Sequence, residues 1–318
     1  MLEQLKFVQG SVAKKELIAS LTHFRIKDGK VRGYNGTMAI CSPIALDLDC
    51  CPKADAMVKA IANCDGATTV SMTPGGKLSI RSGSFRALVP TIDGDTPHVD
   101  PAGDLVQFDG EHLLKAFQTL DAFIGSDASR PWTNGILIDG QSAYATNNVC
   151  LVQYWLGAAF PHTVNIPRAA VKEVLRVGEA PTHGQIDKGS ITFHYTDGRW
   201  IRTQLLETQW PMGKIAEMLD QPCNAQPINP ELFKGLAKLK PMTDGAGRVY
   251  FREGALHTST NDDEGASYEL DMKTDGHYNI QMLGLLEGVV TSIDFSLYPG
   301  PCLFFGDRLR GAIIGMLQ

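Results

Sequence analysis

The chain repeats itself three times, and this constrains its fold more than any other feature of its 318 residues. In each copy an alternating apolar strand meets an acid-Gly turn, and a second strand then ends on an asparagine. The copies are Phe24, Ile26, Asp28-Gly29, Val31 and Asn35; Ile136, Ile138, Asp139-Gly140, Ala143 and Asn147; Val249, Phe251, Glu253-Gly254, Leu256 and Asn261. Period-two alternation around such a pair predicts a β-hairpin, because glycine reaches the positive φ that a two-residue turn needs. The turns lie 111 and 114 residues apart and the asparagines 112 and 114, a register that unrelated hairpins would not keep.

Further elements keep the same offset. Pro52-Lys53-Ala54 opens a helical pattern with Met57, Val58, Ile61 and Ala62, and Pro167-Arg168-Ala169, 115 residues on, opens another with Val171, Val174 and Leu175. The third copy has no proline and starts near Tyr278-Asn279 with Ile280, Leu283 and Leu286. Strand, glycine turn and strand follow in the first two copies: residues 77–81, Gly83 and 85–89, then 190–195, Gly198 and 200–206. Both reach a turn before a proline, Thr96-Pro97 and Trp210-Pro211. An earlier helix is predicted around residues 113–117 and 232–236, with a shorter counterpart at 13–21. The reading is an α+β chain of three tandem units, 1–102 (shortened), 103–222 and 223–318. Their boundaries fall in the Pro/Gly/Asp-rich stretches 93–104 and 220–230.

An apolar content of 43% is ample for buried cores. No run approaches the roughly 18 apolar residues of a membrane span, and Met1-Leu2-Glu3-Gln4-Leu5-Lys6 lacks the order of a signal peptide. Seven cysteines without a Cys-x-x-Cys suggest neither a disulfide framework nor a clustered zinc site. A cytoplasmic protein with no membrane association is expected.

Lys+Arg 29 against Asp+Glu 35 gives a net charge of -6, which excludes a surface basic throughout but leaves room for a local one. Arg168, Lys172 and Arg176 fall at i, i+4 and i+8, a basic stripe over Val171, Val174 and Leu175. Lys234 and Lys238 repeat the spacing over Phe233, Leu236 and Ala237. Lys53 and Lys59, Lys14 and Lys15, and Lys115 charge the other predicted helices. Like charges at i, i+4 cost an isolated helix about 0.2–0.5 kcal/mol per pair. Their recurrence in an acidic protein predicts phosphate-contacting side chains that hold DNA without reading its sequence.

Catalytic signals are thin. Ser11-Val12-Ala13-Lys14 has the Ser-x-x-Lys spacing of penicillin-interactive acyltransferases but lacks their Lys-Thr-Gly and Ser-Asp-Asn companions, and a helix cap is the preferred role for Ser11. Eight histidines form no ligand motif, Asp262-Asp263-Glu264 lacks EF-hand spacing, and Gly75-Gly76-Lys77 lacks the Walker spacer. A binding or scaffolding protein without catalytic residues, cofactor or metal is expected. A serine acyltransferase using Ser11 and Lys14 is the alternative from another class.

Four segments of the middle unit carry a resemblance. They are Arg130-Pro131-Trp132-Thr133-Asn134-Gly135-Ile136-Leu137; Ala145-Thr146-Asn147-Asn148-Val149-Cys150-Leu151; Val164-Asn165-Ile166-Pro167-Arg168; and Leu205-Leu206-Glu207 before Trp210-Pro211. In order and spacing they resemble the Arg-x-x-Leu-Asn-Gly, Ala-Thr-Asp-Gly-His-Arg-Leu, Val-Pro-Arg and Phe-Pro landmarks of the bacterial DNA polymerase III β-subunit sliding clamps. Ser82-Gly83 with Phe85, then Thr96-Pro97, is similar to the last landmark in the first unit. The likeness is to a divergent member, phage-borne or cellular.

The resemblance implies three clamp domains per chain, each with two helices inside and antiparallel sheets outside. Two chains would join head to tail into a ring around double-stranded DNA, with equivalent junctions. Lys14, Lys53, Lys59, Lys115, Trp132, Arg168, Lys172, Arg176, Lys234 and Lys238 would then face DNA. A DNA polymerase and a clamp loader would dock short peptide motifs in an apolar cleft carried onto Thr133, Thr146, Val149, Leu151, Pro211, Ile215, Ile314 and Met316. The sequence departs from the family where Asp-Gly-His-Arg becomes Asn147-Asn148-Val149-Cys150 and the terminal Met-Pro-Met-Arg-Leu becomes Ile314-Gly315-Met316-Leu317-Gln318. A clamp-like fold without a replication role is the runner-up.

Overall fold

In the computed structural model, residues 1–15, 18–94, 96–206, 209–261, 263–272 and 274–316 are described. Of the positions named above, residues 16 and 17, Glu207, Asp262, Leu317 and Gln318 lie outside them. The first stretch holds α1 (Leu2–Gln9), β1 (Arg25–Lys27), β2 (Lys30–Tyr34), β3 (Met38–Pro43), β4 (Cys51–Pro52), α2 (Ala54–Ala62), β5 (Thr69–Met72), β6 (Leu78–Ser82), β7 (Phe85–Val89) and β8 (Thr91–Ile92). The second holds β9 (Asp104–Val106), α3 (Gly110–Leu120), β10 (Gly135–Asp139), β11 (Ser142–Thr146), β12 (Cys150–Trp155), β13 (Val164–Pro167), α4 (Arg168–Val177), β14 (His183–Ile186), β15 (Ser190–His194), β16 (Trp200–Gln204) and α5 (Met212–Leu219). The third holds β17 (Gln226–Pro227), α6 (Glu231–Leu239), β18 (Arg248–Arg252), β19 (Ala255–His257), β20 (Ser267–Glu269), β21 (Gly276–Asn279), α7 (Ile280–Gly284), β22 (Ser292–Ile293), β23 (Pro301–Gly306) and β24 (Leu309–Ile314). None of these helices is long and apolar enough to cross a membrane.

The three hairpins form where the alternation predicts them, with one change of turn. Lys27 pairs with Lys30 and Arg252 with Ala255, which leaves Asp28-Gly29 (φ 51° and 65°) and Glu253-Gly254 (φ 53° and 77°) as type I′ turns. In the middle copy Asp139 pairs with Ser142, so the turn slips to Gly140-Gln141, with φ 57° at the glycine as type II′ requires. Asn35 Oδ1 accepts from the N–H groups of Thr37 and Met38, and Asn147 Oδ1 from those of Val149 and Cys150, so one side-chain turn redirects the chain in both copies. In the third copy β19 ends earlier, at His257, yet Asn261 Oδ1 still accepts from Asp263 N–H (3.1 Å).

Pro52 and Pro167 close β4 and β13, and a helix follows each. Where the third copy lacks proline, the Asn279 side chain caps α7 by accepting from Gln281 N–H (3.0 Å) and Met282 N–H (3.1 Å). The helix predicted at 13–21 is corrected: the first helix is α1, which buries Leu5, Phe7 and Val8. In the predicted stretch Ala13 N–H reaches across to the Leu21 carbonyl (2.9 Å), Ala19–Thr22 form a single 3₁₀ turn, and Ile18 is 57% exposed. Among the described residues of the stretch Ala19 is exposed as well, and Ala13 and Leu21 are only half-buried, so none of them packs as a core side chain.

The chain divides into two compact units, Met1–Leu114 with Ala169–Leu205, and Lys115–Arg168 with Leu206–Gln318. The first carries a seven-stranded sheet in the order β1-β2-β3-β16-β15-β14-β9, a β5-β6-β7 sheet and the β4-β8 pair. The second carries an eight-stranded sheet, β13-β10-β11-β12-β24-β23-β22-β17, and a four-stranded one, β20-β19-β18-β21. Each large sheet crosses a boundary between repeats. β3 pairs antiparallel with β16 from Met38–Thr203 to Cys41–Trp200, and β12 with β24 from Cys150–Ile313 to Tyr154–Leu309. At the second seam Gly311 is required by space: a Cβ there would lie 2.3 Å from the Leu151 carbonyl oxygen and 2.4 Å from the Phe304 ring. Leu5, Ile26, Ile40, Met57, Ile191 and Phe193 are fully buried in the first unit, and Ile136, Val152, Tyr278 and Phe304 in the second.

His183 and His194 lie opposite each other on β14 and β15, with ring centroids 4.6 Å apart and planes within 4°. Burial, and then the charge of His183, holds His194 below its ordinary value of 6.5, so the native state favours the neutral ring. Stability from this site is whole above pH 6.5 and is lost as pH falls through the lower native value, because the unfolded chain takes the proton first. His194→Gln is expected to flatten the decline in urea-melt stability between about pH 7 and pH 5. An unchanged slope would acquit His194.

Candidate partner groove and basic helix faces

Met212, Ile215, Met218 and Leu219 recur at i, i+3, i+6 and i+7, which gives α5 one apolar side. Ile215 and Leu219 are buried with Leu137, Tyr144, Leu151, Leu303 and Ala312 of the eight-stranded sheet. Trp210, just before the helix, meets Trp132 edge to face with centroids 4.9 Å apart. Between α5 and the sheet a groove of about 170 Å³ remains. Ile215 and Met218 form its helix side, Leu151, Ala312 and Ile314 its sheet side, and Arg130, Trp132, Thr146, Asn148, Val149 and Cys150 its end.

Thr146, Val149, Leu151, Ile215 and Ile314 of the predicted cleft therefore share one groove. Met316 lines an adjoining hollow of about 790 Å³ together with Asn147, Asn148, Arg168, Asn279 and Met282. Val149 and Ile314 belong to both. Thr133 lies behind the wall, fully buried, and donates to the Arg130 carbonyl (2.9 Å). Pro211 is exposed at the N-cap of α5. Trp132, which the resemblance turns toward DNA, is also a wall of the groove. Met218, Ala312 and Arg130 were missed, although Met218 sits on the periodic face of α5.

The groove's chemistry is apolar with one cation. Arg130 Nη1 donates to Asn148 Oδ1 (3.1 Å), which steadies a residue at φ 70°. Cys150, at the position of the family's arginine, is buried, and its thiol is pushed up to about 12, so it stays neutral. Thr146 Oγ1 donates to the Cys150 carbonyl (2.8 Å) and accepts from Asn148 N–H (3.1 Å), fixing the loop that presents Val149.

The basic residues divide by what they touch. Lys14, Lys115 and Lys172 are exposed, and their side chains make no ion pair or hydrogen bond among the described residues. Lys59 pairs with Asp55 (2.7 Å) and Lys234 with Glu231 (2.6 Å), both at the surface, and Lys238 Nζ lies 5.2 Å from the centre of the Tyr268 ring. Lys53 is half-buried at the N-cap of α2. Arg168 Nε is 3.9 Å from Asp121 and the side chain borders the larger hollow. Arg176 pairs with Glu173 and donates to the Phe7 carbonyl (2.8 Å), tying α4 to the last turns of α1. Lys14, Lys53 and Arg176 nonetheless line one hollow of about 660 Å³ with Lys6, Asp55 and Glu173.

Ser11 is fully buried and donates to the Val8 carbonyl (3.0 Å), while Lys14 is exposed. That hydroxyl ends α1 and faces no solvent. Asp263 and Glu264 are exposed. Arg176→Ala is expected to lower stability by about 1–3 kcal/mol, because it strands the buried Glu173 carboxylate, with its own partial exposure holding the loss to that range. Denaturant melts equal to wild type would show that the tie is dispensable.

No family model matches the chain, and no curated protein sequence does. Solved structures do. The Caulobacter crescentus polymerase III β subunit superposes with a TM-score of 0.84 at 15% identity, and the Bacillus subtilis DNA polymerase sliding clamp with 0.83 at 14%. The Pseudomonas aeruginosa DnaN sliding clamp gives 0.82 at 14%. Each comparison covers 100% of this chain and 97% of the other. Across its whole length the chain has the fold of the bacterial β sliding clamps, on a sequence far diverged from theirs.

Proposed function

We propose that this protein is a DNA sliding clamp: a non-enzymatic, cytoplasmic homodimer of three clamp domains per chain (1–102, 103–222 and 223–318) that encircles duplex DNA. It tethers a DNA polymerase, and receives its loader, through the groove beside α5. The observation that carries this reading is a pattern of strand edges. In two places the outer strand of a hairpin sheet is completed by the last strand of another sheet, β3 by β16 and β12 by β24. The third hairpin sheet ends on β20, and the remaining three-stranded sheet ends on β7. Neither edge is paired among the described residues.

An unpaired edge invites another strand, and the repeat supplies it: β7 of one chain to β20 of a second, twice around a closed ring. Charge supports this choice. Arg81 and Arg86 lie directly opposite each other on β6 and β7, an arrangement unfavourable without an acid nearby, and Glu269 is exposed on β20. Leu88, 48% exposed on β7, adds apolar area to the same edge.

Light scattering at micromolar concentration is expected to give about 69 kDa, twice the 34.5 kDa chain. Leu88→Asp should return the mass to that of one chain without loss of folding. A wild-type mass of one chain at every concentration, or a dimer indifferent to Leu88, would remove the ring. Lys115→Glu with Lys172→Glu is expected to shorten retention on nicked circular DNA at unchanged melting temperature, most clearly at low salt. Equal retention would count against DNA inside a basic face.

A further inference from the structure

We infer that Arg310 is the positioning residue of the groove: it fixes the last turn of α5 against β12 and β24, and thereby sets which side-chain size the groove accepts. This rests on the reading of the groove as a peptide site. Arg310 lies on β24, in the same strand as the groove residues Ala312 and Ile314, and its Cα stands opposite Gln153 of β12. Its Nε donates to Gln153 Oε1 (2.7 Å), and its Nη1 donates to Asp220 Oδ1 (2.8 Å) and the Leu219 carbonyl (3.3 Å). Leu219 is the last residue of α5 and Asp220 its C-cap, so the guanidinium meets the negative end of the helix. Gln153 is itself oriented, donating from Nε2 to Ser142 Oγ (2.9 Å) and Tyr144 Oη (3.0 Å).

The need for such a tie follows from the shortness of α5. Eight residues contribute two buried side chains, Ile215 and Leu219, and apolar contact has no direction of its own. The Trp210–Trp132 contact holds the start of the helix. Directional bonds at its far end come from Arg310, which spans α5, β12 and β24 with one planar group. A lysine, as a single point charge, cannot reproduce that fork.

The test is fluorescence anisotropy with two labelled octapeptides on the full-length protein, identical but for one apolar position, which is Leu in one and the larger Trp in the other, since the groove of about 170 Å³ holds little more than one large side chain. Wild type is expected to favour the Leu form. Arg310→Met should lose about tenfold in affinity for it and narrow its preference over the Trp form, at near wild-type melting temperature, with Arg310→Lys between. If Arg310→Met keeps both affinity and preference, or loses affinity for both peptides in equal proportion as its melting temperature falls, Arg310 does not position the groove. Ile314→Asp separates the two readings. If it binds both peptides as wild type does, the groove is not the peptide site and the role of Arg310 falls with it; if it abolishes binding, an indifferent Arg310→Met defeats only the positioning role.

Discussion

A strand edge is a row of unpaired N–H and C=O groups, and satisfying those rows governs how this chain is joined. The first hairpin sheet stops at β3 and is continued by β16, and the middle one stops at β12 and is continued by β24. These seams are made of backbone, so they ask little of side chains beyond alternation and, at Gly311, the absence of one. A fold held together in this way can be built by a sequence only 14–15% identical to those of the clamps it superposes on. The same economy explains why no sequence family matches while the whole chain matches in space.

What could be read from the sequence was whatever backbone geometry imposes on residue type. The acid-Gly turns, the asparagines after β2 and β11, and the prolines before α2 and α4 are local solutions to local problems, and they were legible at constant spacing. Elements defined by burial were less so. α1 begins at Leu2, and its single buried side is too short for a distinct period, whereas the described apolar residues of 13–21 are half-buried or exposed. α5 has the period but stands outside the repeat, so no second copy marks it. The groove depends on that helix lying over the sheet, a long-range contact that spacing cannot announce. The resemblance supplied five of its residues, and Met218 and Ala312 emerged only in space.

The basic faces show the limit of periodicity in another way. Spacing told which cations share a helix side but not which are already engaged. Arg176 belongs to the i, i+4, i+8 stripe and yet spends its donors on Glu173 and the Phe7 carbonyl, so its position in the stripe has a structural cause. Lys172, one turn away, is exposed and its side chain has no partner among the described residues. A stripe read from sequence thus mixes side chains that hold the helices with side chains that face solvent, and only the latter can meet a phosphate without loss of fold.

On the proposed reading, the size of the groove bears on how the protein would hold a partner. About 170 Å³ admits little more than one large apolar side chain, whose burial contributes about 1.5–3 kcal/mol, well short of the roughly 8 kcal/mol of a micromolar complex. The adjoining hollow, lined by asparagines, methionines and Arg168, adds polar contacts that recover less once desolvation is counted. A site of this depth favours exchange over permanence. On the proposed reading, persistence on DNA comes from the closed ring, which cannot leave without breaking a seam, so the groove is free to bind weakly and release one partner for the next. Selection on the groove would then act on discrimination between partners more than on strength. That is consistent with Asn147-Asn148-Val149-Cys150 standing where the clamps that the sequence resembles carry Asp-Gly-His-Arg.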